Sequence, residues 1–144
     1  MDMYINCLIN ENYIMLVETI LCFLCESFDS EIRYIPHNNS QDDDYNVDYI
    51  GCEMFSMNIN TATRSKEFDR IYGQEVFGTP IDTMISIDVG TDFIRDALPL
   101  IYKLARKIES VFGEVIVESD TSKVIYKKTA SETVFDQEFW KFEQ

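Results

Sequence analysis

The feature that most constrains the fold is a strict alternation along residues 81–89. β-Branched residues occupy every second position of this segment, and Asp, Met, Ser and Asp stand between them. This period of two predicts a strand with one face on a core and the other face exposed. Gly90 ends the alternation, and an amphipathic helix is predicted over residues 92–112, with Gly113 as its C-terminal cap. A half-exposed strand beside such a helix indicates a sheet that is covered by helices.

The other segments complete a single domain of 144 residues. Further strands are predicted at residues 3–9, 31–35 and 49–59 and in a hairpin over 114–128, and another helix at 11–28. The apolar stripe of that helix is predicted to contain Ile14, Val17, Leu21, Leu24, Cys25 and Phe28. Residues 60–78 are predicted to form a loop with a short helix. The order βαβββαββ predicts an α+β two-layer sandwich, with two helices packed on a mainly antiparallel sheet.

The chain is strongly acidic, and the charge is concentrated near its beginning. Its 26 Asp and Glu residues against 12 Lys and Arg residues give a net charge of −14. Residues 1–53 contain eleven acids and one base, which leaves −10 in that segment. Such a polyanion disfavours direct binding to nucleic acid or to an anionic bilayer and favours a basic partner. Two interpretations remain open: one acidic face, or charge spread evenly for solubility.

Residues 36–48 are predicted to form a mobile acidic loop, since they are polar and contain four aspartates. Tyrosines stand among the acids, and a tyrosine beside a carboxylate suits a basic protein surface. The predicted partner-binding residues are therefore Glu31, Asp42, Asp43, Asp44, Tyr45, Asp48, Tyr49 and Glu53. Alternatively, the loop is simply solvated, and Tyr45 and Tyr49 are core residues at a strand entry. A calcium loop fits poorly because the run lacks the required glycine and spacing.

No motif for catalysis, nucleotide binding or metal binding is present. His37 stands in the polar segment, and neither a nucleophile elbow nor a glycine-rich phosphate loop occurs. Cys22 and Cys25 form a C-x-x-C inside a helical pattern and are predicted to pack in the core as free thiols. Cys7 and Cys52 supply no matching zinc pair. We therefore predict a protein that is not an enzyme and has neither a cofactor nor a metal.

The sequence shows no recognisable signal for secretion or membrane insertion. The first fifteen residues lack the basic flank and the cleavage site of a signal peptide. The longest apolar stretch, residues 20–25, is far shorter than the ~20 residues that span a bilayer. These observations predict a soluble cytoplasmic protein without membrane contact.

The carboxyl half carries a resemblance to a known class of proteins. The sequence TPIDTMISIDVGTDFIRDALPLIYKLARKIESVFGEVIVESDTSKVIYKK, followed by FW near the end, resembles small immunity proteins encoded beside bacterial polymorphic toxins. These include proteins of contact-dependent growth inhibition systems and of the outer-membrane-exchanged toxins of myxobacteria. The resemblance extends over residues 79–142. The features that carry it are the strand at 81–89, the helix at 92–112, Gly113, the hairpin at 114–128 and Trp140.

The resemblance implies a cytoplasmic protein that binds one cognate toxin domain and blocks its active site or a neighbouring surface. Many such toxins are basic nucleases, because they must approach phosphates. The predicted function is therefore neutralisation of a basic, nuclease-type toxin through an acidic surface. The alternative is a non-enzymatic acidic adaptor or structural domain that binds another basic protein.

Overall fold

The computed structural model describes residues 1–29, 31–36, 47–60 and 63–141, and within this part it contains eight strands and three α-helices. These elements are β1 Asp2–Cys7, α1 Tyr13–Ser27, β2 Arg33–Ile35, β3 Val47–Gly51, β4 Phe55–Asn60, α2 Thr63–Tyr72, β5 Thr83–Val89, α3 Ile94–Phe112, β6 Val115–Glu118, β7 Val124–Lys128 and β8 Thr133–Phe135. A π-helical turn, Gly73–Phe77, continues α2, and a 3-10 turn, Thr91–Phe93, precedes α3.

All eight strands form one sheet in the order β2-β3-β4-β5-β1-β6-β7-β8, and every pair is antiparallel. The predicted α+β class with an antiparallel sheet is confirmed. The predicted order βαβββαββ is wrong, because the described chain runs βαβββαβαβββ. The differences are α2, which falls where a short helix is predicted within residues 60–78 but is not counted in that order, a last strand, β8, and the division of the predicted strand at 49–59 into two strands.

This division occurs at a tight turn after Gly51. The backbone N–H of Cys52 donates to the carbonyl oxygen of Phe55 at 2.9 Å and reverses the chain. Gly51 permits a close approach, since a Cβ atom at this position would lie 2.6 Å from the Tyr49 hydroxyl oxygen. The apolar residues on both sides of the turn form one continuous sequence pattern, so the sequence predicts a single strand and gives no sign of the turn.

Helices α1 and α3 contact each other and cover one face of the sheet. Alternate residues of the central strands point into this layer, as Ile5, Met57 and Ile87 do, and all three are buried. The amphipathic pattern of residues 92–112 is confirmed by α3, whose backbone ends at Gly113 with a φ of 96°. Trp140 is buried in the core, and its indole N–H donates to the carbonyl oxygen of Ile125 at 2.8 Å.

Helix α1 faces the core differently from the prediction. Its buried residues are Leu16, Val17, Ile20 and Leu24. Ile14 is 70% exposed, and both Cys22 and Cys25 are exposed, so the predicted core packing of the C-x-x-C is wrong. The physical reason is that α1 is apolar around most of its circumference, and a three- and four-residue spacing fits more than one face.

Even this apolar helix is short. Among the helices of the described residues, none has the length and hydropathy to cross a bilayer.

Helix α2 lies on the opposite face of the sheet. Phe77, Ile81 and Ile116 form a second apolar cluster there, with Tyr72 and Val124 packed against it. Ile116 alternates with the core residues of β6, so this cluster belongs to the face that α1 and α3 leave uncovered. Helix α2 covers one end of that face, and among the described residues the remaining outward-facing positions form the candidate site.

Candidate partner-binding face

The open face of the sheet is the side opposite α1 and α3. It is formed by the strand residues that alternate with core residues. Its central members are Asp2, Tyr4, Tyr49, Ser56, Asn58, Met84, Ser86, Asp88 and Glu118. Most of these side chains are polar and at least partly exposed, as is common for the uncovered face of an antiparallel sheet.

One row of side chains crosses five neighbouring strands of the open face. Tyr49 pairs with Asn58, Asn58 with Ser86, Ser86 with Tyr4, and Tyr4 with Glu118. Because neighbouring strands are about 4.8 Å apart, the row spans about 19 Å. It places an aromatic ring on each side of two small polar residues. We call it the central row.

A second row beside it is acidic. Ser56 pairs with Asp88, and Asp88 pairs with Asp2. The side chain of Asp88 is 73% exposed, and Asp2 is exposed as well. Carboxylates therefore stand next to the central row, in positions where they can meet cationic side chains of a partner.

An open cavity of about 300 Å³ lies at the Glu118 end of the central row. Its lining residues are Tyr4, Tyr72, Met84, Glu118, Asp120 and Ser122. Glu118 is 2% exposed, and its two carboxylate oxygens accept hydrogen bonds from the Asn6 side-chain N–H and the Tyr72 hydroxyl, each at 3.0 Å. Among the described residues, no Lys or Arg forms an ion pair with Glu118.

The surroundings of Tyr72 keep its phenol protonated as the donor of this bond. Burial raises the pKa of Tyr72, and the hydrogen bond to Glu118 and its charge raise it further. The cavity thus combines a buried carboxylate, a second acid at its rim and two tyrosine rings. This combination suits the cation of a lysine or arginine side chain, which binds carboxylates and the faces of aromatic rings.

Helix α2 forms an apolar wall beside the cavity. Phe68, Ile71 and Val76, the last in the π-helical turn, are 65%, 59% and 55% exposed, respectively. The Phe68 ring stacks on Tyr72, with ring centroids 6.4 Å apart and an interplanar angle of 10°. The Phe68–Tyr72 stack thus places exposed apolar surface next to the cavity, as is found at protein interaction sites.

A buried pair of carboxylates underlies α2. Asp82 is fully buried and accepts hydrogen bonds from the backbone N–H groups of Ile9 at 2.9 Å and Asn10 at 3.0 Å. Asp69, on the inner side of α2, is 7% exposed. Burial raises the pKa of Asp69 to about 6, and the charge of Asp82 contributes to the rise, while a hydrogen bond from the backbone of Met84 opposes it. The hydrogen bond from the Met84 backbone to Asp69 therefore connects α2 to β5.

These acids do not form a recognisable metal centre. Within the described ranges, no three His, Cys, Asp or Glu side chains converge to hold a metal ion.

Three of the predicted partner-binding residues lie together beside the central row. Glu31, Tyr49 and Glu53 line an open cleft of about 290 Å³, and Arg33 is the base among its lining residues. Tyr49 also belongs to the central row, so these residues extend the open face towards β2.

Asp48 does not belong to this surface. Its side chain is fully buried on the core side of β3, where the Tyr34 hydroxyl donates to it at 3.3 Å. Strand alternation explains the difference, since neighbouring residues of a strand point to opposite faces. The predictions for Asp42, Asp43, Asp44 and Tyr45 fall outside the described residues.

The prediction from sequence omitted Tyr4, Tyr72, Ser86 and Glu118. The polar positions of the alternating segment 81–89 did indicate that Ser86 faces outward. Tyr4 and Glu118 gave no such signal, because their proximity depends on β1 lying between β5 and β6.

Comparison with known proteins adds no relative. The chain matched neither protein-family models nor curated proteins nor solved structures. The chemistry of the site, and not the fold alone, therefore bears on what the chain does.

Proposed function

We propose that this chain is a non-enzymatic binding protein that captures a basic protein on the open face of its sheet. The central row, which joins two tyrosines through small polar residues and ends at a buried carboxylate, carries this proposal. Tyrosine rings provide contact area at low entropic cost, and the surrounding acids steer a basic partner into register.

The cavity at the end of the central row defines the anchor of the partner. Among the described residues no Lys or Arg pairs with Glu118, and a cationic side chain of the partner that enters the cavity would offset the cost of burying this carboxylate. Tyr4 and Tyr72 line the cavity with their rings, and Glu118 and Asp120 contribute negative charge. An arginine fits best, because its planar guanidinium stacks on rings and donates several hydrogen bonds at once.

We further propose that the partner is a toxin domain and that the chain is its cytoplasmic immunity protein. This identity rests on the resemblance of residues 79–142 to immunity proteins of polymorphic toxins. The region of resemblance supplies Ser86 of β5 and Glu118 of β6, which are two of the five residues of the central row. The second candidate is an acidic adaptor for another basic protein, which the same face would serve equally well.

A pull-down with the product of the adjacent upstream gene, at low salt, tests the toxin identity. The matched variants are Asn58→Lys, in the middle of the open face, and Gln137→Lys, on an exposed turn elsewhere. Both replace an exposed amide with a cation. We expect Asn58→Lys to abolish capture and Gln137→Lys to retain it.

Absence of a complex with the wild-type chain would refute the toxin identity. A complex that survives Asn58→Lys would refute the open face as the binding surface. Capture of a different basic protein, lost in Asn58→Lys alone, would favour the adaptor.

A further inference from the structure

The outer surface of α1 exposes large apolar side chains to solvent. Ile14 is 70% exposed, Met15 is 47% exposed, and Tyr34 of the neighbouring edge strand is 40% exposed. An open cleft of about 390 Å³ runs between the helix and this strand. Its lining residues are Tyr13, Ile14, Val17, Glu18, Leu21 and Tyr34. This α1 cleft lies on the helix-covered side of the sheet, away from the open face.

The charged residue among those that line the cleft is an acid, Glu18. Residues 1–32 contain no Lys, Arg or His. Glu11, Glu18 and Glu26 are exposed on α1 or just before it. The apolar floor is therefore bordered by the Glu18 carboxylate, and α1 contains two acids and no base to balance them.

This charge distribution selects among possible occupants. A second copy of the chain would bring the same carboxylates against one another, which is unfavourable. An anionic bilayer would be repelled for the same reason. An amphipathic helix with a basic polar face would bury its apolar side chains on Ile14 and Leu21 while its cations meet Glu18.

We propose that the α1 cleft is a second docking site, which binds a basic amphipathic helix of a protein partner. The 15 residues of α1 form a helix about 22 Å long, enough to support about four turns of a partner helix. The site is independent of the open face, because the two surfaces lie on opposite sides of the sheet.

The test uses the full chain and a fluorescein-labelled peptide of leucine and lysine, about four turns long, with the leucines at helical spacing. A scrambled peptide of the same composition controls for charge alone. Fluorescence anisotropy measures the dissociation constant. The variants are Ile14→Ser and Glu18→Lys, and their matched controls are Val111→Ser on α3 and Glu138→Lys on the C-terminal turn, since all four residues are exposed.

We expect the helical peptide to bind the wild type at least about tenfold more tightly than the scrambled peptide. Ile14→Ser and Glu18→Lys should each weaken binding about tenfold, whereas both controls stay within about twofold of the wild type. Asn58→Lys, which disables the open face, should leave the peptide affinity within about threefold, so the two proposals fail separately.

Equal affinity for both peptides would overturn the proposal, because it would indicate general attraction to an acidic protein. Equal effects of the variants and their controls would also overturn it. Sedimentation that reveals a dimer lost in Ile14→Ser would assign the cleft to a second copy instead. Thermal unfolding of each variant verifies that its fold is retained, as expected for substitutions at exposed positions.

Discussion

Replacing Asp69 with asparagine should stabilise the protein at neutral pH and remove part of its pH dependence. Asp69 is 7% exposed, and it anchors α2 to the sheet beside the fully buried Asp82. Burial, followed by the charge of Asp82, raises its pKa from an ordinary 3.8 to about 6. An asparagine oxygen can still accept the hydrogen bond from the Met84 backbone, but it carries no charge to desolvate.

The direction of the effect follows from proton linkage. A carboxyl group with a raised pKa in the folded state binds its proton more tightly there than in the unfolded chain. The stability that this carboxyl group adds to the folded state is fully present below about pH 4 and is lost as the pH rises from about 4 to about 6. The difference between 3.8 and about 6 corresponds to about 3 kcal/mol at about 1.4 kcal/mol per unit. Water that reaches the carboxylate lowers this figure, so we expect between about 1 and 3 kcal/mol.

Urea unfolding, followed by the fluorescence of Trp140, measures the free energy of unfolding between about pH 4 and about pH 8. Asp69→Asn is compared with Asp2→Asn, which removes the same charge from an exposed position. Below about pH 4 the two variants should differ little. Above about pH 6 Asp69→Asn should be more stable than the wild type by the stated amount, and this difference should then stay constant.

A difference between Asp69→Asn and the wild type that does not change with pH would refute the reasoning. So would an Asp2→Asn variant with the same pH profile, because the effect would then come from net charge and not from the buried position.

Two further predictions concern the ends of β1 and α1. Asp82→Ala should lower the free energy of unfolding by about 2 to 4 kcal/mol, because the backbone N–H groups of Ile9 and Asn10 lose their buried acceptor. Urea titration measures this loss, and a loss below about 1 kcal/mol would contradict the prediction. In the native protein a thiol reagent should modify the exposed Cys22 and Cys25 quickly. Cys7 should stay unmodified until the protein unfolds, because it is buried and burial raises its pKa. Peptide mass mapping that finds Cys7 modified first would contradict this prediction.

The second half of the fold could be predicted because its signals are local. The alternation of residues 81–89 and the apolar stripe of residues 92–112 each define an element without reference to the rest of the chain. The observed β5 and α3 confirm them within a few residues. The third helix could be predicted only as a short helix without defined bounds within residues 60–78. Its residues are mostly polar, its apolar Phe68 and Ile71 point outward, and a carboxylate, Asp69, faces the sheet.

The candidate site was predictable only in part. Tyr49 and Glu53 could be proposed because acids and a tyrosine are neighbours in sequence. The central row could not, because it joins residues as distant as Tyr4 and Glu118, and strand order is not written in any local pattern. That Asp48 lies on the core side could not be predicted for a related reason: its face depends on the register of β3, and a shift of one residue exchanges the two faces.

Chemical-shift mapping of the complex tests the central claim most directly. The ¹⁵N-labelled chain is titrated with the product of the adjacent upstream gene or with another basic protein that it captures. We predict that the largest changes fall on the open face, at Tyr4, Tyr49, Asn58 and Ser86, and that they disappear in Asn58→Lys. Changes confined to α1 and α3, with the open face unaffected, would contradict the account.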